Sequence, residues 1–364
     1  VPGGRNVSTM LGNRKLVVDQ CCEVKEFTRA WQDESFYDFA THKVIPGAIY
    51  LISRQQFNAN IDRIRDLATQ GTILPILGNP AEGSDTMLRQ IQGLGIQELV
   101  QQGRILIISG GHMQSDIPYL YYENFMPKIL DYSENYLAIQ QYKDQWSDSR
   151  PYKFLCLNGR GRRHRRQLLD NLANVLDQAL WTNLDSAAGD IKLLPACYEF
   201  DFYKQNTTMS MSGYAKPALF NNDWGEIYLN PRPYLDTYFS LVTETVFDYP
   251  YSFRTEKIWK PVAIGHPWIA VANRGYYRDI HKLGFQTFGH VIDESFDQID
   301  NNQERLARIV TVVNDLCRQD LSSFITAAED KCKYNQQRLA ELRLQVRKEF
   351  PQQFAQYINE RSGV

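Results

Sequence analysis

The segment FLCLNGRGRRHRRQLLDNL, residues 154–172, passes from an apolar run through a glycine-bearing basic turn into a helical pattern. Phe154–Leu157 reads as a strand, and the leucines that follow recur at helical spacing. Between them, Arg160–Arg166 holds five arginines and a histidine in seven positions. Strand, glycine turn and helix in this order mark an open α/β sheet, where ligands bind beyond the carboxyl ends of the strands. Gly159 and Gly161 let the backbone approach an anion closely. The helix start adds free N–H groups and the positive end of a dipole, and the arginines add bidentate bonds to phosphate oxygens. The turn does not match G-x-G-x-x-G, since His164 occupies the last glycine position, and it is not a G-x-x-x-x-G-K-[ST] loop. Three partners stay open: a nucleic-acid backbone, a nucleotide diphosphate, or water alone around a solvated turn. Clustered arginines repel one another without a counter-charge, which favours an anion.

Outward from this segment the same alternation repeats. Upstream, KLVVDQCCEV (15–24), GAIYLIS (47–53), TILPILG (72–78) and GRILIISGG (103–111) read as strands. The helix-patterned 54–71, with Phe57, Ile61, Ile64 and Leu67, lies between the second and third, and Ser84 offers an N-cap for another. A helix is expected over 119–142, interrupted near Pro127. Downstream, 238–246 and 267–272 read as strands, and 255–265 and the RGYYRDIHKLG segment as helices closed by Gly265 and Gly284. Residues 200–236 read as loop-rich, and a charged helical tail runs from Asp320 to near Pro351. Short apolar strands alternating with helices predict α/β architecture with parallel sheets. The polar stretch 143–152 is the expected linker. The expected division is a Rossmann-like domain at 10–148, a second at 149–345 and a tail at 346–364.

Composition narrows the partners. The 364 residues carry a formal net charge of -2 and the pI is about 6.4. A general nucleic-acid binder shows a basic domain and a high pI; here the basic cluster is local, which favours a small phosphorylated ligand. Six cysteines are scattered without a C-x-x-C pair, as expected in a reducing compartment. No apolar run approaches the roughly 20 residues of a membrane helix. The N-terminus VPGGRNVST lacks an apolar signal core. A cytoplasmic location is therefore expected, with export by a route lacking an N-terminal signal left open.

A second chemical cluster lies in SLVTETVFDYPYSFRTEKIWKPVAIGHPWIAV (240–271). Thr243 and Glu244 end a strand, and Thr255, Glu256, Lys257 and Lys260 open the next helix. A glutamate at a helix start could simply favour the dipole. At a strand–helix crevice it could also bind ribose hydroxyls, and a lysine there could neutralise a diphosphate leaving group.

The motifs FLCLNGRGRRHR, VTET, FRTEKIWKPVAIGHPWIAV, LGFQTFGHVIDESFD and ERL, in this order over roughly 150–306, resemble the C-terminal half of a group of glycosyltransferases found in large viruses, phages and bacteria. The VTET…TEKIWKP pair is similar to the donor-site motif of α-1,3-fucosyltransferases. The resemblance implies a GT-B-like fold, two Rossmann-like domains facing a cleft, with the C-terminal helix crossing back to the first. It implies a hexosyl- or fucosyltransferase-like enzyme whose second domain holds a nucleotide-sugar donor. Lys257 would contact the donor diphosphate, Glu256 and Glu244 ribose or sugar hydroxyls, and Arg160, Arg162 and Arg163 the diphosphate again. Asn158, Thr243, Thr255 and Lys260 complete the expected donor site. The acceptor would be a glycan, a lipid or a protein.

On this reading no cofactor and no metal are required, since cationic side chains take the leaving-group charge. An inverting reaction needs a base from the first domain. The candidates at strand ends are Asp19, His112 and Asp116, with Glu23 and Glu123 behind them. His266 and His290 read as packing or capping residues. Asp293, Glu294 and Asp297 read as an acidic turn ahead of a helix rather than a metal site. Two other readings stand beside the transferase: a nucleic-acid-binding protein using the Arg160–Arg166 loop, and a catalytically inactive transferase-like interaction scaffold.

Overall fold

The computed structural model describes residues 10–83, 85–158, 161–184, 191–192, 207–209, 215–217, 227 and 229–362. Ser84, Gly159, Arg160 and most of 185–228 lie outside the described residues. The chain is α/β with two sheets of parallel strands. It divides into two compact units, residues 1–124 with 343–364, and residues 125–342.

In the first unit, six parallel strands β1 (Leu16–Asp19), β2 (Gln32–Phe36), β3 (Ile49–Ser53), β4 (Leu74–Asn79), β5 (Leu106–Ser109) and β6 (Leu120–Tyr121) are ordered β2-β1-β3-β4-β5-β6. Successive side chains leave the sheet on opposite faces. Val17, Tyr50, Ile52, Leu77 and Ile107 enter one core with Phe57, Ile64, Met87 and Ile91. Those four come from α1 (Arg54–Ala59), α2 (Ile61–Thr69) and α3 (Thr86–Gly93). Leu16, Val18, Leu51, Ile76 and Ile108 enter the other core with Phe350, Phe354 and Ile358. Burial on both faces is why these strands read as unbroken apolar runs. Each central strand ends in a buried polar residue: Asp19, Ser53, Asn79 and Ser109. The order reverses between β1 and β3, the switch point of a doubly wound sheet.

Two expectations are corrected here. Leu120–Tyr121 pairs with β5 as a strand and is not helical; helices α4 (Phe125–Ile129) and α5 (Ser133–Asp144) follow it. The C-terminal helix, Phe324–Arg361, does not stop at Pro351 but contains it. An interior proline costs a helix about 3 kcal/mol. Burying Phe350, Phe354 and Ile358, each almost fully covered, returns roughly 1.5–3 kcal/mol apiece, so the helix persists.

In the second unit the sheet order is β13-β12-β7-β8-β9. Parallel strands β7 (Tyr152–Asn158), β8 (Ala179–Leu184), β12 (Thr237–Thr243) and β13 (Trp268–Val271) are flanked by β9 (Ile191–Lys192), antiparallel to β8. A separate hairpin joins β10 (Thr207–Met209) to β11 (Ala215–Pro217). From β7 the chain crosses through α6 (Arg163–Asn171) to β8, while from β12 it crosses through α8 (Glu256–Ile264) to β13; a short α7 (Pro231–Leu235) precedes β12. The connections leave β7 and β12 in opposite directions, so their carboxyl ends flank a crevice. Helices α9 (Tyr276–Lys282), α10 (Asn302–Arg318) and α11 (Phe324–Arg361) follow β13. Residues 143–152 lie inside this unit, where the buried Arg150 guanidinium donates to the Tyr234 and Leu235 carbonyls at 2.8 and 2.6 Å. No helix among the described residues is long and apolar enough to cross a membrane.

Candidate functional site

At the ends of β7 and β12, Asn158 meets Thr243, Glu244 meets Thr255, and Lys257 meets Glu256; the expected Arg160 lies outside the described residues. Asn158 and Thr243 end the two strands, and the Thr243 hydroxyl donates to Asn158 Oδ1. Asn158 is fixed further by Thr182, whose Oγ1 accepts from the Asn158 backbone N–H at 2.9 Å. Glu244, the next residue along β12, is fully buried. Its carboxylate accepts from the Thr255 N–H at 3.0 Å and the Thr255 hydroxyl at 2.7 Å. It also accepts from the Tyr276 hydroxyl at 3.0 Å and the Thr245 N–H at 3.2 Å. Burial pushes the Glu244 carboxyl up, and Lys257 and the Thr255 bonds offset only part of this. Glu244 thus ties the end of β12 to the start of α8 and to α9.

Thr255 is the N-cap of α8, its hydroxyl accepting from the Lys257 N–H. Lys257 Nζ lies 2.5 Å from Glu256 Oε1 and 3.3 Å from Thr255 Oγ1. Its side chain is 22% exposed, against 11% for Glu256, so both side chains of this pair are largely covered and Lys257 is the more open of the two. Burial works to raise the Glu256 carboxyl, but Lys257 and Lys260 hold it below the usual carboxylate range. Lys260, one turn further along the same face, is itself buried. At the far end, Gly265 closes the helix in the left-handed conformation.

The basic turn divides its work. Arg162 caps α6 and is exposed together with Arg163 and Arg166. Arg165 turns inward: it is buried and donates to the Thr243 carbonyl at 2.9 Å. Burial, with Arg162 beside it, pushes its guanidinium down to about 10. His164 also turns inward, with Nε2 3.0 Å from the Glu244 carbonyl. A carbonyl only accepts, so Nε2 carries the proton. The ring stacks on Phe247 at 5.1 Å, and burial and the Arg165 charge push it down to about 4. His164 and Arg165 therefore clamp the end of β12, leaving Arg162, Arg163 and Arg166 as the turn's outward charges among the described residues. Counted together, the cations at 162, 163, 165, 166, 257 and 260 outnumber the carboxylates at 244 and 256.

Arg305, within the ERL motif, and Tyr276, which no local pattern singles out, belong to this frame. Arg305 is buried against Phe247, 4.4 Å from the ring centroid. It donates to the carbonyls of Phe247, Ala272 and Ile299 at 2.7, 3.2 and 2.9 Å. One guanidinium thereby fastens the loop after Glu244, the end of β13 and the approach to α10. Asp297 accepts from the Tyr277 N–H at 3.1 Å and Asp293 pairs with Arg308. Glu294 accepts from the Thr287 hydroxyl at 2.8 Å. This acidic turn thus holds neighbouring backbone and side chains in place.

The first unit places the base candidates as follows. Asp19 is fully buried; its carboxylate accepts from Ser53 N–H at 3.1 Å, the Ser53 hydroxyl and Cys21 N–H at 2.9 Å. It fastens β1 to β3 at the switch point. His112 follows β5, with Nδ1 2.9 Å from the Tyr119 hydroxyl and its ring stacked on Tyr121 at 4.5 Å. The Tyr121 hydroxyl donates to Glu123 at 2.7 Å. Asp116 is exposed. His112, Tyr119, Tyr121 and Glu123 thus form one cluster near the carboxyl edge of β5 and β6.

Two buried histidines make the second unit acid-sensitive. His266 accepts from the Ser240 hydroxyl and donates to the Thr237 carbonyl, at 2.9 and 2.8 Å, and burial pushes it down to about 3. Both His164 and His266 resist protonation when folded and accept it when unfolded. Their stabilising effect is complete above about pH 6.5 and is lost as pH falls toward 4 and below. For His164 alone the loss between pH 7 and 4.5 is about 2–3 kcal/mol. Urea unfolding at the two pH values should show this loss shrinking in His164→Gln; an unchanged pH dependence in the variant refutes the assignment.

No protein-family model matches the chain, and no curated protein matches it.

Proposed function

We propose that the second unit binds the diphosphate of a nucleotide sugar and that the chain is a glycosyltransferase. The observation that supports this most is the Lys257 ammonium. It belongs to a partly exposed side chain at the N-terminus of α8, beside a β7–β12 switch crevice bordered by the exposed arginines of the α6 turn. Helix N-termini and cations together favour phosphate oxygens. In this reading Lys257, with Arg162 and Arg163, takes the charge that develops on the departing nucleoside diphosphate, and no metal is required. Glu244 acts as a positioning residue, since its oxygens are committed to Thr255, Tyr276 and Thr245. Glu256 is the carboxylate left to meet a donor hydroxyl.

A thermal-shift panel tests the reading, with UDP, GDP, CDP, ADP, their common sugar conjugates and a short oligonucleotide. One nucleoside diphosphate at 100 times its Kd is expected to stabilise the protein by about 2.7 kcal/mol. That corresponds to roughly 5–10 °C for a unit of this size. A shift from the oligonucleotide alone, strongly weakened by salt, would mean that the arginines hold a polynucleotide instead.

A further inference from the structure

The second unit contains a cavity of about 730 Å³ away from the donor crevice, walled by α5 and its C-terminal turn on one side and α11 on the other. It reaches Ile264 and Gly265, at the opposite end of α8 from Lys257. At 1.5 Å per residue, the two ends of that helix are about 13 Å apart. The volume falls in the range of small-ligand sites, roughly 300–1,000 Å³.

The lining is chemically mixed. Trp146, half-buried, supplies aromatic surface over the buried Tyr142 ring, and Lys143, Glu329, Lys333 and Gln337 surround it. Lys333 and Glu329 neutralise one another at 2.7 Å. Lys143 is the one cation of the lining without an ion-pair partner among the described residues. The Gln336 amide donates to the Ala263 carbonyl at 2.8 Å and keeps its own oxygen as an acceptor. Both rings are held in advance: the Arg150 guanidinium lies 5.5 Å from the Tyr142 ring centroid and 6.0 Å from that of Trp146. Arg150 is itself riveted to the backbone at Ser147, Tyr234 and Leu235. A preformed aromatic face loses little entropy on binding.

This combination selects among ligand classes. A polyanion would need more than one uncompensated cation. An apolar ligand would strand the Lys143 ammonium and the side-chain oxygens of Gln336 and Gln337, which prefer partners once desolvated. A polyol satisfies both requirements, because its hydroxyls donate and accept while its C–H faces lie on aromatic rings, which are apolar in body and polar at the edge.

We propose that this cavity is a saccharide-binding site, separate from the donor crevice and independent of the diphosphate reading. Its position places a bound saccharide at the opposite end of α8 from Lys257.

The test is saturation-transfer NMR and titration calorimetry on the full chain. The probes are glucose, galactose, mannose, fucose, N-acetylglucosamine, cellotriose, chitotriose and mannotriose, with AMP as an aromatic anion. At least one saccharide is expected to bind the wild type. Its affinity should fall about tenfold or more, roughly 1.4 kcal/mol, in Trp146→Ala and should be unchanged in Lys257→Ala. The surface pair Lys143→Ala and Gln337→Ala should lower the affinity as well, which covers the case of a Trp146 variant that folds poorly. The proposal is overturned if none of the saccharides binds. It fails equally if binding survives in every cavity variant, if it disappears in Lys257→Ala, or if AMP displaces the sugar.

Discussion

If the second unit holds a nucleoside diphosphate as proposed, replacing Lys257 with alanine is expected to lower its affinity about 10- to 100-fold, the value of one charge-assisted hydrogen bond of about 1.5–3 kcal/mol. Hydrolysis of the sugar nucleotide in the absence of acceptor falls further, about 100- to 1,000-fold, because the charge on the leaving oxygen is larger in the transition state than in the bound donor. The two numbers are meant to differ. Equal losses would mean that Lys257 binds ground and transition states alike. The variant also leaves Glu256 with Lys260 as its nearby cation, so the carboxyl should titrate higher than in the wild type. Lys257→Arg keeps the charge but exchanges a compact ammonium for a planar fork, and should recover part of the affinity and less of the rate. Calorimetry and a nucleotide-release assay give both quantities, and a hydrolysis rate within threefold of wild type in Lys257→Ala would remove Lys257 from the chemistry.

The sequence exposes some parts of this molecule and hides others for definable reasons. Leu16–Asp19, Ile49–Ser53, Leu74–Asn79 and Leu106–Ser109 are legible because burial on both faces forces continuous apolar runs. The strand Gln32–Phe36 is not: QDESF sits at the sheet edge with much of its length exposed, so nothing enforces apolar residues. Leu120–Tyr121 is hidden because two residues of strand fall inside an apolar stretch that also fits a helix. Pro351 misleads because helix propensity is a local quantity and the burial that overrides it comes from strands more than 200 residues earlier. At the site, residue types at strand and helix ends pick out Asn158, Thr243, Thr255, Glu256 and Lys257. What they do not reveal is direction. Adjacent residues at a helix start point different ways, so Arg162 and Arg163 face water while His164 and Arg165 face β12. Tyr276 is equally hidden, since it reaches Glu244 from the helix after β13.

Glu244→Ala should be the most destabilising single change at the site. It leaves the Thr255 N–H, the Thr255 and Tyr276 hydroxyls and the Thr245 N–H without their acceptor in a fully buried place. Stranding buried donors around a removed charged partner costs about 3–5 kcal/mol, which for a unit of this size is a fall in Tm of roughly 10 °C. Glu244→Gln keeps one acceptor and the volume, so it should cost less, and it separates charge from shape. Burial raises the Glu244 carboxyl, so the folded protein holds this proton to higher pH than the unfolded chain. Its contribution is therefore complete below the unfolded value and is lost as pH rises through the folded one. The stability of wild type relative to Glu244→Gln should accordingly decline with rising pH, opposite in sign to the effect of His164. Thr255 is both a partner of Glu244 and the cap that orients Lys257, so the two positions should be coupled. In the double-mutant cycle for nucleoside diphosphate binding, adding Lys257→Ala to Glu244→Ala should cost much less than adding it to wild type. Additive losses would mean that Glu244 supports the fold without positioning the ammonium.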